Sequence, residues 1–310
     1  MNKWKRNLKG LVRKRPFAFF DIFLYQVLNN NFFQRAAGLS YFLILAIFPF
    51  FIALLHIVNY VNVNYLSSII SLINQLPPEI KEIILSFMKD LEINSSGTLL
   101  SVSLIGSVYI ASNGIRQVMR TINEVLNITE KRNIFAQMGL SFLMTVGLFI
   151  VIILILITQV LGNNFLNFLF NLLQFPELSH FVTQLLMRLI PLAFMFFIFY
   201  CLYYFSPKWP RGKHPISSIT LLSALFATVG VILTTAIFSF YVSRFSNYSN
   251  TYGSLAGMII FLVWLYLFGL ILLFGGAVQA SLYKLYYDGA HWPRKETMFQ
   301  NIVSAHDRIC

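Results

Sequence analysis

Apolar residues along this chain come in long runs, not in the short alternations of strands or the one-sided stripes of soluble helices. Six runs approach the roughly 20 helical residues needed to cross a bilayer core of about 30 Å: Leu39–Val61, Leu99–Ile115, Met138–Val160, Leu185–Phe205, Ile219–Phe240 and Ser254–Tyr283. Helices are predicted for all six, because backbone N–H and C=O groups in lipid must bond within their own segment. The run MGLSFLMTVGLFIVIILILITQV is apolar on every face and uncharged, whereas SVSLIGSVYIASNGI interleaves serine, asparagine and glycine. A helix of the second kind belongs inside a bundle.

Three more stretches read as interfacial. In EIKEIILSFMKDLEI, Ile80, Ile83, Ile84, Phe87, Met88 and Leu91 recur at helical spacing opposite Lys81, Glu82, Lys89 and Asp90. Asn163, Asn167, Asn171 and Gln174 make a polar stripe through a Phe/Leu-rich run, and Phe17, Phe20, Leu24 and Leu28 make an apolar one behind Pro16. The expected fold is therefore an all-α polytopic membrane protein, a bundle of six transmembrane helices with additional interfacial amphipathic helices. Residues 1–35 form a basic arm with an interfacial helix, 36–283 the transmembrane domain and 284–310 a tail.

Composition agrees: 57% of the 310 residues are hydrophobic and 11% charged, against about 25% charged in soluble domains. The formal charge of +12 invites a nucleic-acid reading until its distribution is followed. Counted by segment, 19 of the 23 Lys and Arg fall on the arm, the two even-numbered connections and the tail. By the positive-inside rule that side is the cytoplasm, which places both termini there. The basicity is thus a topology signal, with anionic headgroups as a second attraction, and no nucleic-acid partner is expected. Cys201 and Cys310 are too far apart in the chain to suggest a disulfide framework. The basic N-terminus lacks the apolar core and small-residue cleavage site of a removed signal peptide.

Arg188 is the most informative single residue. A guanidinium at the centre of a span costs about 2.5–3.5 kcal/mol on insertion scales, and no acidic residue lies within the other runs to compensate it. Two readings follow: the side chain snorkels to the interface, or it meets a ligand such as a phosphate headgroup. Asn113, Arg116, Arg120 and Asn123 are spaced by three and four residues near the end of the second run. They form either the polar lining of a cavity or an ordinary solvated helix end. No catalytic residue is assigned, and no metal ligand or cofactor. His56, His180, His214, His291 and His306 lack metal-site spacing, and neither a Walker loop, a dinucleotide turn nor a nucleophile elbow occurs.

Three segments carry a family resemblance over about residues 15–285: QRAAGLSYFLILAIFPF, SNGIRQVMRTINEVLNITEKRNIF and YGSLAGMIIFLVWLYLFGLILLFGGAVQA. They resemble the YihY/BrkB family of bacterial inner-membrane proteins, which once carried the label ribonuclease BN. Ala37, Tyr41, Pro49, Asn123, Arg132, Arg188, Tyr252, Gly253 and Trp264 fall on its pattern positions. The resemblance implies six spans in a bacterial plasma membrane and an ill-defined activity with transporter-like suggestions. One departure stands out: Gly275, Gly276 and Ala277 occupy the place of the family's common Gly-Ala-Glu, so a mechanism using that carboxylate does not carry over.

The expected function is a non-enzymatic translocator of an amphiphilic anion, a lipid or a glycerophosphate-type polymer. The alternative is a membrane scaffold for envelope assembly; a membrane-embedded hydrolase or nuclease ranks last. Expected partners are the lipid bilayer, an anionic lipid or polymer, and a second copy or an envelope-assembly protein.

Overall fold

The structure, a computed structural model, describes residues 15–60, 97–128, 132–160, 180–207, 217–244 and 254–287. Among these residues there are seven helices and no strand: α1 (Arg15–Asn29), α2 (Phe32–Tyr60), α3 (Gly97–Val125), α4 (Ile134–Val160), α5 (His180–Phe205), α6 (Ser217–Arg244) and α7 (Ser254–Tyr287). Helices α2 to α7 run from 26 to 34 residues, or roughly 39–51 Å at 1.5 Å per residue. Four contain stretches long and apolar enough to cross a membrane: Ile134–Ile155, Arg188–Phe205, Ser217–Val242 and Gly257–Tyr286. Within the described side chains, α2 has the apolar stretch Phe32–Ile47, and the serines and arginines of α3 dilute its apolar face.

Asparagines end the first and third of these helices. Asn31 adopts a left-handed φ of 53° between α1 and α2, and Asn30 Nδ2 donates back to the Gln26 carbonyl at 2.8 Å. At the end of α3, Asn127 has φ 55°, its N–H bonds Glu124 O, and the Ile128 N–H bonds Asn123 O. That double bond pattern closes the helix in a Schellman motif, with asparagine tolerating the left-handed position.

Each of α2 to α6 packs on the helix that follows it, and α7 returns to α2 and α3, so the six long helices close on themselves. Successive helices alternate in direction. Arg35 at the start of α2 meets Glu124 at the end of α3, Arg132 before α4 meets the end of α5, and Thr220 at the start of α6 meets Gln279 near the end of α7. These contacts gather Arg35, Arg116, Arg120, Arg132 and Lys284 toward one end of the bundle, the basic end.

Small residues let the helices approach. A Cβ on Gly276 would lie 2.8 Å from Ile122, and one on Gly269 would lie 3.3 Å from the backbone oxygen of Ala36. In lipid such contacts matter because association rests on van der Waals packing; the tails are as apolar as leucine. Burial is uneven along the bundle. From Leu272 to Ser281 nearly every residue of α7 is buried, whereas none from Ile232 to Tyr241 of α6 is. Helix α7 is thus enclosed in the basic half and α6 is exposed in the other, where Ala46, Phe50, Val108, Ala111 and Phe149 still join α2, α3 and α4.

The expected helix before the first span is α1, and its polarity is inverted relative to a soluble protein. Phe20, Leu24 and Leu28 are exposed, while Asp21 and Gln26 are buried beside Ile22 and Val27. The side turned toward α7 is fastened by Phe23 and Phe32 on either side of Phe274, at 5.8 and 6.3 Å. The two other interfacial stretches, around 79–93 and 163–174, lie outside the described residues, as do Tyr252 and Gly253.

Candidate functional site

Most buried hydroxyls are satisfied within their own helix. Ser40, Ser107 and Ser112 donate to carbonyls three residues back at 2.7–2.8 Å, the local bond that lets serine enter an apolar helix. Polar groups that reach beyond their own helix, or that find no partner, are the informative ones. They form four groups.

The first joins α5, α6 and α7 in the basic half. Fully buried Tyr203 donates its hydroxyl to Leu272 O at 2.8 Å, and Gln279 Nε2 donates to Tyr203 O at 3.0 Å and to Thr220 Oγ1 at 3.4 Å. Gly275 makes room for the phenol, since a Cβ there would fall on Tyr203 Oη. Sequence reading passed over all three polar residues; the only signal was a lone glutamine inside an apolar run.

The second is a clamp on the end of α5. Arg132 Nη1 donates to Ser206 O at 3.0 Å, its Nη2 donates to Phe205 O at 2.6 Å, and Asn123 Nδ2 adds a bond to Ser206 O at 3.2 Å. The last carbonyls of a helix lack internal partners and carry the negative end of its dipole, so a guanidinium fork suits them. Asn123, only 2% exposed, also bonds Met119 O.

The third is Arg188. It lies on the same stripe of α5 as Met195, Phe199 and Leu202, at spacings of seven, four and three, all three of which are buried. Arg188 is nevertheless exposed, and it bonds no described residue. Among the described residues, none covers Arg188 on this stripe. Near this end, Trp264 of α7 donates Nε1–H to Thr235 Oγ1 of α6 at 3.2 Å. The indole stacks between Phe261 and Phe268, both at 6.0 Å.

The fourth is on α3. Asn113 is half-buried and bonds only Tyr109 O of its own helix at 3.3 Å. Arg116 is half-buried with its Nε enclosed and unpaired, and Arg120 is exposed. Glu124, the one acid of α3, is engaged by Arg35, which also donates to Thr121 Oγ1 at 2.9 Å. The structure thus keeps Asn113, Arg116 and Arg120 together, turns Asn123 inward, and sets Arg188 roughly 12–22 Å farther from the basic end than those three. Among the described residues no three His, Cys, Asp or Glu side chains gather to hold a metal ion.

A profile of the family described as "Virulence factor BrkB" matches residues 23–298. The chain belongs to the BrkB family. Among relatives of this BrkB-family protein, the ribonuclease-like protein YfkH of Bacillus subtilis is 29% identical over 252 residues, covering 81% of this chain and 90% of YfkH. A UPF0761 membrane protein of Histophilus somni strain 2336 is 24% identical over 277 residues, covering 86% and 90%. One of Actinobacillus pleuropneumoniae is 28% identical over 197 residues, covering 62% and 66%. No solved structure matches. The BrkB-family chain is thus a membrane protein. Of the positions shared with the family pattern, Asn123 and Arg132 converge on one carbonyl, that of Ser206. Trp264 holds α7 to α6, Ala37 and Tyr41 are exposed on α2, and Pro49 is accommodated within α2.

Proposed function

We propose that this chain is a non-enzymatic, six-span protein of the bacterial plasma membrane, termini in the cytoplasm, that translocates an amphiphilic anion such as an anionic lipid or a glycerophosphate-type polymer. One observation carries the reading: Arg188 sits on the core-facing stripe of α5, yet is exposed and without a described partner. A cation held on an inward face, where the surrounding helices leave it uncovered, is a place for an anion to enter from one side. The buried Tyr203–Gln279–Thr220 group across the other half supports the same reading, as the closed side of a one-side-open bundle. Helices α2 and α3 complete six spans in this reading: both are long enough, and their polar positions are sheltered among neighbours. The distribution of Lys and Arg supports the orientation.

The test is reconstitution into vesicles carrying fluorescent phosphatidylglycerol in both leaflets, followed by bleaching of the outer leaflet alone. Wild type is expected to expose the protected pool, Arg188→Gln to lose that activity, and Arg188→Lys to keep part of it. Unchanged lipid movement in Arg188→Ala and Arg188→Gln would remove Arg188 from the mechanism. A wild type that moves neither anionic nor zwitterionic lipid would sink lipid translocation itself.

A further inference from the structure

A separate site lies on the outside of the bundle. Ile122 gives the side of α3 that faces α7, through its contact at Gly276. At 3.6 residues per turn, Tyr109, Asn113, Arg116 and Arg120 fall about 120–180° around the helix from Ile122. They therefore share the face turned away from α7, the helix most enclosed by the others in this half. Exposure agrees: Val102, Ile105 and Tyr109 on this stripe are all more than half exposed.

Helix α2 continues the same surface. Arg35 meets Thr121, Gly38 lies against the Gln117 amide, and Phe42 lies against Gly114, so α2 and α3 run antiparallel in a fixed register. That register brings Tyr41, 57% exposed, level with Asn113 and Gly114, with Leu45 exposed one turn farther from the basic end. The face is thus apolar and aromatic away from the basic end and cationic toward it. Its depth fits a headgroup. Helix α3 has 29 residues, or about 43 Å, some 13 Å more than a hydrocarbon core. Arg116 is nine residues before the end at Val125, about 13 Å from it, which sets the guanidinium at the boundary between tails and headgroups.

We infer that the outer α2–α3 face binds an anionic phospholipid of the leaflet at the basic end, with Arg116 and Arg120 on the phosphate, Tyr41 beside the headgroup and Tyr109 about 10 Å deeper, against the acyl chains. Charge complementarity selects the occupant. Glu124 is taken by Arg35, Arg116 and Arg120 pair with no acid among the described residues, and the Arg116 Nε–H is enclosed without an acceptor there. A phosphate diester supplies acceptors to such a fork, and its acyl chains lie along Leu45, Ile105 and Val102. The site differs from the one around Arg188, and either can fail without the other.

The test is native mass spectrometry of the purified protein in detergent, mixed with phosphatidylglycerol or with phosphatidylcholine of the same chains. Wild type is expected to retain phosphatidylglycerol preferentially, and Arg116→Gln/Arg120→Gln to lose that preference by about tenfold or more. Arg188→Gln retains the lipid, and millimolar inorganic phosphate does not displace it. Equal retention by the double variant, equal retention of phosphatidylcholine by wild type, or displacement by inorganic phosphate each overturns the proposal. A wild-type experiment guards against a variant that fails to fold: photoactivatable phosphatidylglycerol is expected to label peptides from 102–120 and 41–45. Labelling confined to other helices overturns the proposal equally.

Discussion

Asn123 shows how far spacing alone carries a site. Intervals of three and four residues put Asn113, Arg116, Arg120 and Asn123 on one stripe to the eye. Ten residues at about 100° each leave Asn123 rotated by about 80° from Asn113, and that rotation moves it from the outer face to the buried side. There it joins Arg132 on the carbonyls that end α5. The chain pattern marked both as family positions, but their shared target was invisible because Ser206 is 83 residues from Asn123 in sequence. Arg132→Ala should lower stability by about 2–3 kcal/mol, since it strips charged donors from carbonyls that cannot all reach water. Arg132→Lys should recover part of this, a point charge replacing a fork. Melting temperatures in one detergent, wild type against both variants, measure the effect; an alanine variant as stable as wild type would show that the clamp is incidental.

At the scale of the element, some glycines in this chain make room for a neighbouring helix and others do not. Gly275 and Gly276 take the Tyr203 phenol and Ile122, whereas a Cβ on Gly106 or Gly139 meets nothing within 4 Å. Gly275→Val should therefore destabilise the protein by about 2–3 kcal/mol through overpacking. Gly139→Ala should be neutral or stabilising by up to about 1 kcal/mol, by removing backbone freedom within a helix. Paired thermal melts of the two variants check both signs; a harmless Gly275→Val would mean that α5 and α7 shift apart at little cost. Helix α1 was legible as a stripe of Phe17, Phe20, Leu24 and Leu28, and the structure exposes Phe20, Leu24 and Leu28. The burial of Asp21 and Gln26 against the bundle was not legible, because an amphipathic pattern does not tell which of its faces meets protein and which meets lipid.

At the scale of the whole molecule, the alternating helices gather the described arginines and Lys284 mainly at one end, with Arg188 and Arg244 toward the other. Membrane-impermeant thiol labelling tests the orientation that follows from the positive-inside rule. In a Cys201→Ser/Cys310→Ser background, Arg188→Cys should label in intact cells, and exposed Asn133→Cys only after the membrane is opened. The reverse pattern would invert the protein, and labelling of both from one side would break the alternation. The sequence by itself determined that the solvent is lipid, that the chain is helical, and where the long helices lie, although α3 runs on to Val125, ten residues past the expected Ile115, and α2 starts at Phe32 and not Leu39. Those outcomes follow from local quantities: apolar run length and backbone bonding that a helix satisfies within itself. Only the tertiary structure decided which polar residues share a site, that α7 is the enclosed helix of the basic half, and that Arg188 lies in line with the buried stripe of α5 yet is itself exposed. Those depend on rotation and register between helices, which in lipid are set by side-chain packing across contacts tens of residues apart in the chain.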